Sequence, residues 1–248
     1  MRTSGHTQLP SGTREAFTKL ELLVVVALLV LLAGLRLAAA TGLKHQTKVA
    51  QCAANLRQLG LSMLLYASDN ADKLPAQLGL GSWLWDLDWY VGDILNQYGT
   101  PQEVMYCPGT APRFTATNNE ELYEYYAPGR VHVIGYAPTL PGSPSLSASN
   151  VNATVTAQPT KPFVLSPYTI PPPPASRRVL IADAIITHPG TPNYVLVQGA
   201  YKVPHLCPHV DGFVPAGGNV GMLDGHVEWR SFGQMQQRTT SAQTFYYW

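Results

Sequence analysis

The chain has 248 residues, enough for one globular domain of ordinary size and an appendage. Charged residues make up 12% of it and the formal net charge is +1. Nucleic-acid surfaces concentrate Lys and Arg to neutralise phosphates, so this composition argues against a nucleic-acid partner. The 21 glycines and 21 prolines predict frequent turns and short strands rather than a helical bundle.

The first part of the chain has the pattern of a leader followed by a membrane segment. Residues 1–16 are polar and include Arg2 and Arg14, which predicts that they stay in the cytoplasm. The uncharged run Leu22–Leu35 extends to about 20 apolar residues if it continues to Ala40, which is the length that spans a bilayer. We therefore predict a transmembrane segment over residues 17–40. Glu21 is unexpected there, since an unpaired carboxylate in lipid costs several kcal/mol.

An amphipathic helix is predicted to continue this segment over residues 41–74. Apolar residues recur at spacings of three and four, among them Val49, Cys52, Leu56 and Met63, while polar residues fill the other faces. Without an intervening proline, a single helix from about residue 18 to 68 is expected. The turn-forming SDNADKLP at 68–75 ends it.

Residues 75–248 are predicted to form an outward-facing globular domain. In WLWDLDWY (83–90) the large apolar residues alternate with Asp, which favours a strand with one buried face over a sugar-binding surface of tryptophans. Residues 137–176 read as a Pro/Ser-rich exposed loop. Residues 217–230 predict a hairpin that turns at Asp224-Gly225 through a type I′ turn. Other short strands are predicted at 131–136, 178–182 and 194–198.

The chain has three cysteines, Cys52, Cys107 and Cys207. An odd number allows one disulfide, and both a Cys52–Cys107 and a Cys107–Cys207 bridge remain open. In HLCPHVD (205–211), His205, Cys207 and His209 alternate, so they would share one face of an extended strand and could bind zinc. Pro208 breaks a regular strand, however. We therefore favour a loop or a disulfide partner here and predict no metal.

Catalytic residues are not predicted in this chain. Asp183 and His188 are one candidate acid–base pair, but no nucleophile motif such as GxSxG accompanies them. We expect that the protein is not an enzyme and has no cofactor.

The stretch AFTKLELLVV at 16–25 resembles the prepilin processing and methylation motif of type IV pilins and type II secretion pseudopilins. The resemblance implies that a prepilin peptidase cleaves between Ala16 and Phe17 and that Phe17 is then N-methylated. Glu21 would be the glutamate at the fifth mature position, which pairs with the terminal amine of a neighbouring subunit. The alternatives are a secretory signal that ends at residues 38–40 and an uncleaved membrane anchor.

Further stretches resemble a bacterial pseudopilin-like group that ends in an H-X9-DG processing-associated domain. They are CAANLRQLGL from Cys52, YASDNADKLP at 66–75, YCP at 106–108 and GNVGMLDGHVEW at 218–229, which includes Asn219, Asp224 and Gly225. The tail is degenerate, because Val214 stands where the motif has its histidine. An insertion could have displaced that histidine to His209.

The resemblance implies an α+β, pilin-like fold. Its long N-terminal helix, transmembrane and then amphipathic, would pack on a small antiparallel β-sheet domain. The protein would be a single-pass bacterial inner-membrane protein in contact with lipid, with its C-terminal domain outside the cytoplasm.

The implied function is that of a structural pseudopilin or minor pilin. With other pilin or pseudopilin subunits it would assemble into a type II secretion or type IV pilus-like envelope filament. The alternative is a membrane-tethered domain that binds polysaccharide or another surface component and forms no filament.

Overall fold

The computed structural model describes residues 18–125, 130–156, 163–165, 168–170, 173–190, 192–241 and 243–248, without the side chains of 32–43, 163–165 and 168–170. The chain divides into two compact units, Met1–Lys44 and His45–Trp248. The predicted processing residues Ala16 and Phe17 lie outside the described residues, as does part of the loop predicted at 137–176.

Helix α1 spans Lys19–Asp69 and has 51 residues. It begins at a capping box, the reciprocal arrangement that the pattern Thr-x-x-Glu produces. The Thr18 amide donates to the Glu21 carboxylate at 2.9 Å, and the Glu21 amide donates to Thr18 Oγ1 at 3.2 Å. At its other end, Ala71 and Asp72 have positive φ values of 53° and 68°, which ends the helical path before Pro75.

The predictions of a transmembrane segment over 17–40 and of an inner-membrane location are wrong. Among the helices that the structure describes, none combines the length and the hydropathy that crossing a membrane requires. The physical reason lies in the charges, because Glu21 and Arg36 leave only the run Leu22–Leu35 uncharged. That run is shorter than the roughly 20 residues that span a bilayer.

The strands are short and antiparallel. They are β1 (Asp86–Asp88), β2 (Val131–Val133), β3 (Tyr136–Pro138), β4 (Phe163–Leu165), β5 (Tyr168–Ile170), β6 (Val179–Asp183), β7 (Ile185–Thr187), β8 (Val210–Asp211), β9 (Val214–Pro215), β10 (Gly217–Met222), β11 (Val227–Ser231) and β12 (Phe245–Tyr247). One sheet has four strands in the order β11-β10-β6-β3, and β1-β2, β12-β7, β4-β5 and β8-β9 form two-stranded sheets. The other α-helices described are α2 (Trp89–Gln97) and α3 (Ala116–Glu124).

The predicted fold class is therefore wrong as well. A pilin-like fold requires a helix that is transmembrane at its start and packs on one small sheet. Here no described helix is suited to cross a membrane, and the described strands are distributed over five sheets. The twelve strands in the described residues have two to six residues each, and turns and loops separate them repeatedly.

The part of α1 in the unit His45–Trp248 contributes one face to the core. Its buried residues follow the predicted three- and four-residue spacing: Cys52, Leu56, Leu59, Met63 and Ala67. They pack in one cluster with Leu180 and Ile181 of β6, whereas Val179 and Ala182 of the same strand belong to a second cluster. The four-stranded sheet thus supplies residues to both clusters, and α1 belongs to the first.

The interpretation of WLWDLDWY as a strand with one buried face is wrong. Only Asp86–Asp88 form a strand, all three residues are buried, and Trp89 begins α2 with 40% of its surface exposed. Asp86 can be buried because its carboxylate accepts hydrogen bonds from the amides of Ser82 at 2.8 Å and Trp83 at 2.9 Å. Residues 194–198, also predicted as a strand, form only an isolated bridge between Val197 and His205.

The hairpin predicted at the tail is formed by β10 and β11, but its turn differs from the prediction. Gly221 pairs with Val227, and the Met222 amide donates to the His226 carbonyl at 2.8 Å, which leaves a three-residue loop. Gly225 has φ +90°, and Asp224 has no positive φ. A type I′ turn needs positive φ at both central residues, so the loop is instead of the three-residue kind with glycine in the left-handed position.

Candidate functional site

Four side chains with metal-ligating or redox chemistry meet inside the unit His45–Trp248. They are Cys52, Cys107, Asp183 and His209, which we call the CCDH cluster; all four are buried and their ligand atoms lie within 4.8 Å of one another. Cys52 is on the packing face of α1, and Asp183 is the last residue of β6. Cys107 caps the 3-10 turn Pro108–Thr110, and His209 directly precedes β8.

The two loop residues are held by local backbone geometry. His209 has φ +56°, in the left-handed region. A Cβ on Gly109 would lie 2.9 Å from the His209 ring, so only glycine lets this loop approach the imidazole so closely. The Ala216 amide donates to the His209 carbonyl at 2.9 Å, so the hairpin β8-β9 loops out between them. That the hairpin is an insertion displacing a motif histidine stays a prediction.

Hydrogen bonds link the four groups in a chain. The Cys52 thiol donates to Asp183 Oδ1 at 2.9 Å, and His209 Nε2 lies 3.5 Å from Asp183 Oδ2. Cys107 Sγ lies 3.2 Å from the same His209 nitrogen. The imidazole nitrogen on the other side, Nδ1, is buried and has no hydrogen-bond partner among the described residues.

Outer groups donate to the cluster from three directions. The Asn219 amide donates to Asp183 Oδ2 at 2.7 Å, and the Gly109 amide donates to Cys107 Sγ at 3.4 Å. The Tyr136 hydroxyl lies 3.7 Å from Cys52 Sγ. Asn219, which belongs to the tail motif, also donates from its side chain to the Val49 carbonyl on α1 at 3.2 Å. It therefore fixes the position of Asp183 against the helix.

Burial keeps the thiols protonated and the imidazole neutral. It raises the pKa of Cys52 to about 11 and that of Cys107 well above its ordinary value, and it lowers the pKa of His209. A nucleophilic cysteine needs a lowered pKa and access to solvent. The cluster is therefore unsuited to thiolate catalysis. Its groups can ligate a metal ion, and Cys52 and Cys107 lie close enough to be candidates for a disulfide.

The structure separates the other predicted site residues from the cluster. All three cysteines are free and buried, but the Cys207 sulfur accepts from the Ile186 amide at 3.1 Å and donates to the Ile186 carbonyl at 3.0 Å, away from the other two. His205 packs on Trp85, with ring centroids 4.3 Å apart. Of His205, Cys207 and His209, only His209 is in the cluster.

The candidate acid–base pair of Asp183 and His188 is not formed. The ring nitrogens of His188 lie 2.9 Å from the Gln243 carbonyl and 3.0 Å from the Gln198 carbonyl, whereas Asp183 contacts His209. Asp224, the aspartate of the tail motif, lies in the exposed hairpin loop and accepts from His226 Nδ1 at 2.6 Å. Sequence reasoning missed the role of Asp183 beside the cysteines, because no local spacing indicates it.

A cavity of about 330 Å³ lies beside the CCDH cluster. Cys107 belongs to the cluster and also lines the cavity. Its walls include Trp83 and Trp85, whose rings stack with centroids 5.0 Å apart, and His205, whose Nε2 is shielded from solvent and has no partner among the described residues. Its lining combines aromatic and apolar side chains with polar ones such as Asp86, Asn119 and Arg130, a mixture that pockets for small molecules also have.

The described start of α1 carries an exposed apolar surface. Every described side chain from Thr18 to Leu31 is exposed, including the large apolar ones, and Leu20 is 74% exposed. Soluble monomers rarely expose contiguous apolar surface of this kind, which marks interaction sites.

No family model, no curated protein and no solved structure matches the chain. The resemblance to pilins and pseudopilins therefore rests on the motifs themselves.

Proposed function

We propose that this protein is a structural subunit, similar to a pilin or pseudopilin, that assembles into a filament through the first part of α1. The observation behind the proposal is the exposed apolar run from Leu22 to Leu31. Burial of such a Leu or Val side chain contributes about 1.5–3 kcal/mol, so covering the run would drive association strongly.

The apolar run surrounds the helix rather than following one face. Successive residues of an α-helix are rotated by about 100°, so ten consecutive apolar positions cover the whole circumference. A groove on one partner protein would cover only one side of such a helix. Several helices are needed to enclose it, and other copies of this chain supply them in the simplest way.

Processing at the prepilin-type motif is part of the same proposal. Cleavage by a prepilin peptidase between Ala16 and Phe17 would leave a new terminus just before the capping box of Thr18 and Glu21. The hydrogen bond from the Thr18 amide lowers the pKa of the Glu21 carboxyl, which is exposed and ionised at neutral pH. Glu21 therefore has a local role at the helix start that the family resemblance alone does not require.

Filament assembly can be tested after co-expression with a prepilin peptidase. We expect the mass of a mature chain that starts at Phe17 and carries one added methyl group. We also expect filaments in electron micrographs. Val26→Asp should abolish assembly because it places a charge inside the helix bundle. The matched control is Phe213→Asp, since Phe213 is equally apolar and is 80% exposed in the other unit. Filaments from Val26→Asp would contradict the proposal.

Two variants separate the capping role of Glu21 from pairing between subunits. Glu21→Gln keeps an acceptor for the Thr18 amide but removes the charge, whereas Thr18→Ala removes the hydroxyl of the capping box and keeps the charge. If Glu21 pairs with a terminal amine, Glu21→Gln should lose assembly and Thr18→Ala should retain it. The reverse result would assign Glu21 to helix capping.

The aromatic cavity favours a second candidate function, the binding of a small ligand with an apolar or planar face. The stacked Trp83 and Trp85 suit such a ligand, for example a sugar ring. A glycan array and titration with monosaccharides, followed by tryptophan fluorescence, would test it. Binding that persists unchanged in Trp83→Ala would place the ligand elsewhere.

A further inference from the structure

We propose that the CCDH cluster binds one structural divalent metal ion of the zinc type through Cys52, Cys107, Asp183 and His209. The inference concerns the unit His45–Trp248 and does not depend on filament assembly. It differs from the sequence-based prediction that the chain binds no metal.

The size of the cluster suits a tetrahedral ion. Zinc binds sulfur at about 2.3 Å and nitrogen or oxygen at about 2.0–2.2 Å, which places the ligand atoms of a tetrahedral site roughly 3.3–3.8 Å apart. In the cluster, Cys107 Sγ lies 3.2 Å from His209 Nε2, and that nitrogen lies 3.5 Å from Asp183 Oδ2. The Cys52–Asp183 distance of 2.9 Å needs only a small outward movement.

The chemistry of the four ligands selects the kind of ion. Magnesium and calcium prefer oxygen ligands, whereas two thiolates and an imidazole favour zinc and similar transition metals. All four residues are buried, so they form a closed set of four protein ligands. Structural zinc sites have this form, whereas catalytic sites keep one position open for water.

Hydrogen-bonding groups outside the cluster reach three of its four residues. A divalent ion with two thiolates and one carboxylate has a net charge of −1. The amides of Asn219 and Gly109 donate to Asp183 and Cys107, and the Tyr136 hydroxyl lies beside Cys52. Such donors stabilise the excess negative charge and orient the ligands. Each thiol loses its proton to solvent as the metal–sulfur bond forms.

The cluster is incompletely satisfied by its own hydrogen bonds. The side chains of Asp183 and His209 are fully enclosed, and no Lys or Arg forms an ion pair with Asp183 in the part of the chain that the structure describes. His209 Nδ1 also has no hydrogen-bond partner there. An unpaired buried nitrogen of this kind is costly. A cation bound between the carboxylate and the sulfurs would neutralise the charge.

A bound ion would connect four segments that are distant in sequence. It would join α1, the turn at Cys107, the end of β6 and the residue before β8. Since the unfolded chain does not hold these groups together, the free energy of metal binding would stabilise the fold directly. Removal of the ion should loosen all four segments together.

The test is metal analysis of the full chain, purified under reducing conditions with zinc or cobalt(II) supplied. We expect one zinc ion per chain by inductively coupled plasma mass spectrometry. The cobalt(II) form should show intense visible bands of tetrahedral coordination and a sulfur-to-metal charge-transfer band in the near ultraviolet. A chelator should lower the melting temperature, and added zinc should restore it.

Variants then assign the ligands. Cys52→Ser and His209→Ala should weaken the apparent zinc affinity at least tenfold, while Cys207→Ser, a buried cysteine outside the cluster, should not. If a variant misfolds, the zinc content and the cobalt spectrum of the unaltered chain still test the proposal. A chain without stoichiometric metal, a cobalt spectrum of six-coordinate oxygen ligation, or a Cys52–Cys107 disulfide in non-reduced peptides would overturn it.

Discussion

Burial rather than ion pairing sets the protonation state of Cys52, Cys207 and His205 in the interior. It raises the pKa of Cys52 to about 11 and that of Cys207 to about 12, and it lowers the pKa of His205 to about 3. In each case the charged form is disfavoured because it would lose its hydration. At neutral pH, without a bound cation, these interior groups are therefore uncharged.

We predict that His205 makes the protein sensitive to acid. Its pKa is lowered on folding, so the unfolded state binds the proton more tightly. Stability is then present above the unfolded pKa of 6.5 and falls with pH towards about 3, by up to about 1.4 kcal/mol per pH unit. The free energy of unfolding, measured with urea at several pH values between 7 and 4, should fall less steeply with decreasing pH in His205→Phe than in the unaltered chain.

His226→Gln is the control for this experiment, because His226 lies on the exposed hairpin loop and contacts Asp224. Its replacement should leave the slope close to that of the unaltered chain. Equal slopes in His205→Phe and the unaltered chain would show that acid acts on other groups, such as the Asp183–His209 contact.

At the scale of elements, short local signals determine where α1 begins and where the tail hairpin lies. The pattern from Thr18 to Glu21 produces the capping box, and Asp224-Gly225 produces the loop between β10 and β11. The hairpin position followed from the sequence, whereas its turn type did not. Turn type depends on how many residues remain unpaired, which the register of β10 with β11 decides.

We predict that Gly225→Ala destabilises the protein by about 1–2 kcal/mol. Gly225 has φ +90°, where a Cβ meets the neighbouring carbonyl, and the added methyl would also contact Leu64 at 3.5 Å. Gly233→Ala is the matched control, since Gly233 has no positive φ and its methyl would meet nothing within 4 Å. Equal midpoints of urea unfolding for the two variants would contradict this reading of the loop.

At the scale of the whole unit His45–Trp248, two hydrophobic clusters share the four-stranded sheet. The first includes Leu56, Leu59 and Met63 of α1, and the second includes Trp85 and Tyr246. Since α1 contributes five buried residues to the first cluster, this half of the helix is part of the fold and not an attachment to it.

We predict that Leu56→Ala lowers the free energy of unfolding by about 2–5 kcal/mol, because Leu56 is completely buried and leaves a cavity. The control on the same helix is Leu61→Ala, since Leu61 is 54% exposed; its effect should stay within about 0.5 kcal/mol. Chemical unfolding followed by circular dichroism measures both. A similar loss in the two variants would mean that both faces of this part of α1 are covered.

The candidate metal site was only partly accessible from the sequence. The sequence pattern suggests His209 as a ligand, but together with His205 and Cys207, because alternate residues of a strand share a face. The left-handed conformation of His209 breaks that alternation. Cys52, Cys107 and Asp183 come from α1, a loop and the end of β6, and no spacing in the sequence relates them.

Local sequence patterns are sufficient to place the amphipathic half of α1, the two ends of that helix and the tail hairpin, since these depend on residues within a few positions of each other. The tertiary structure decided how the strands divide among five sheets, which aspartates are buried and which four side chains form the CCDH cluster. The physical reason is that helix periodicity and turn chemistry are local, whereas burial and ligand geometry depend on contacts between residues far apart in the chain.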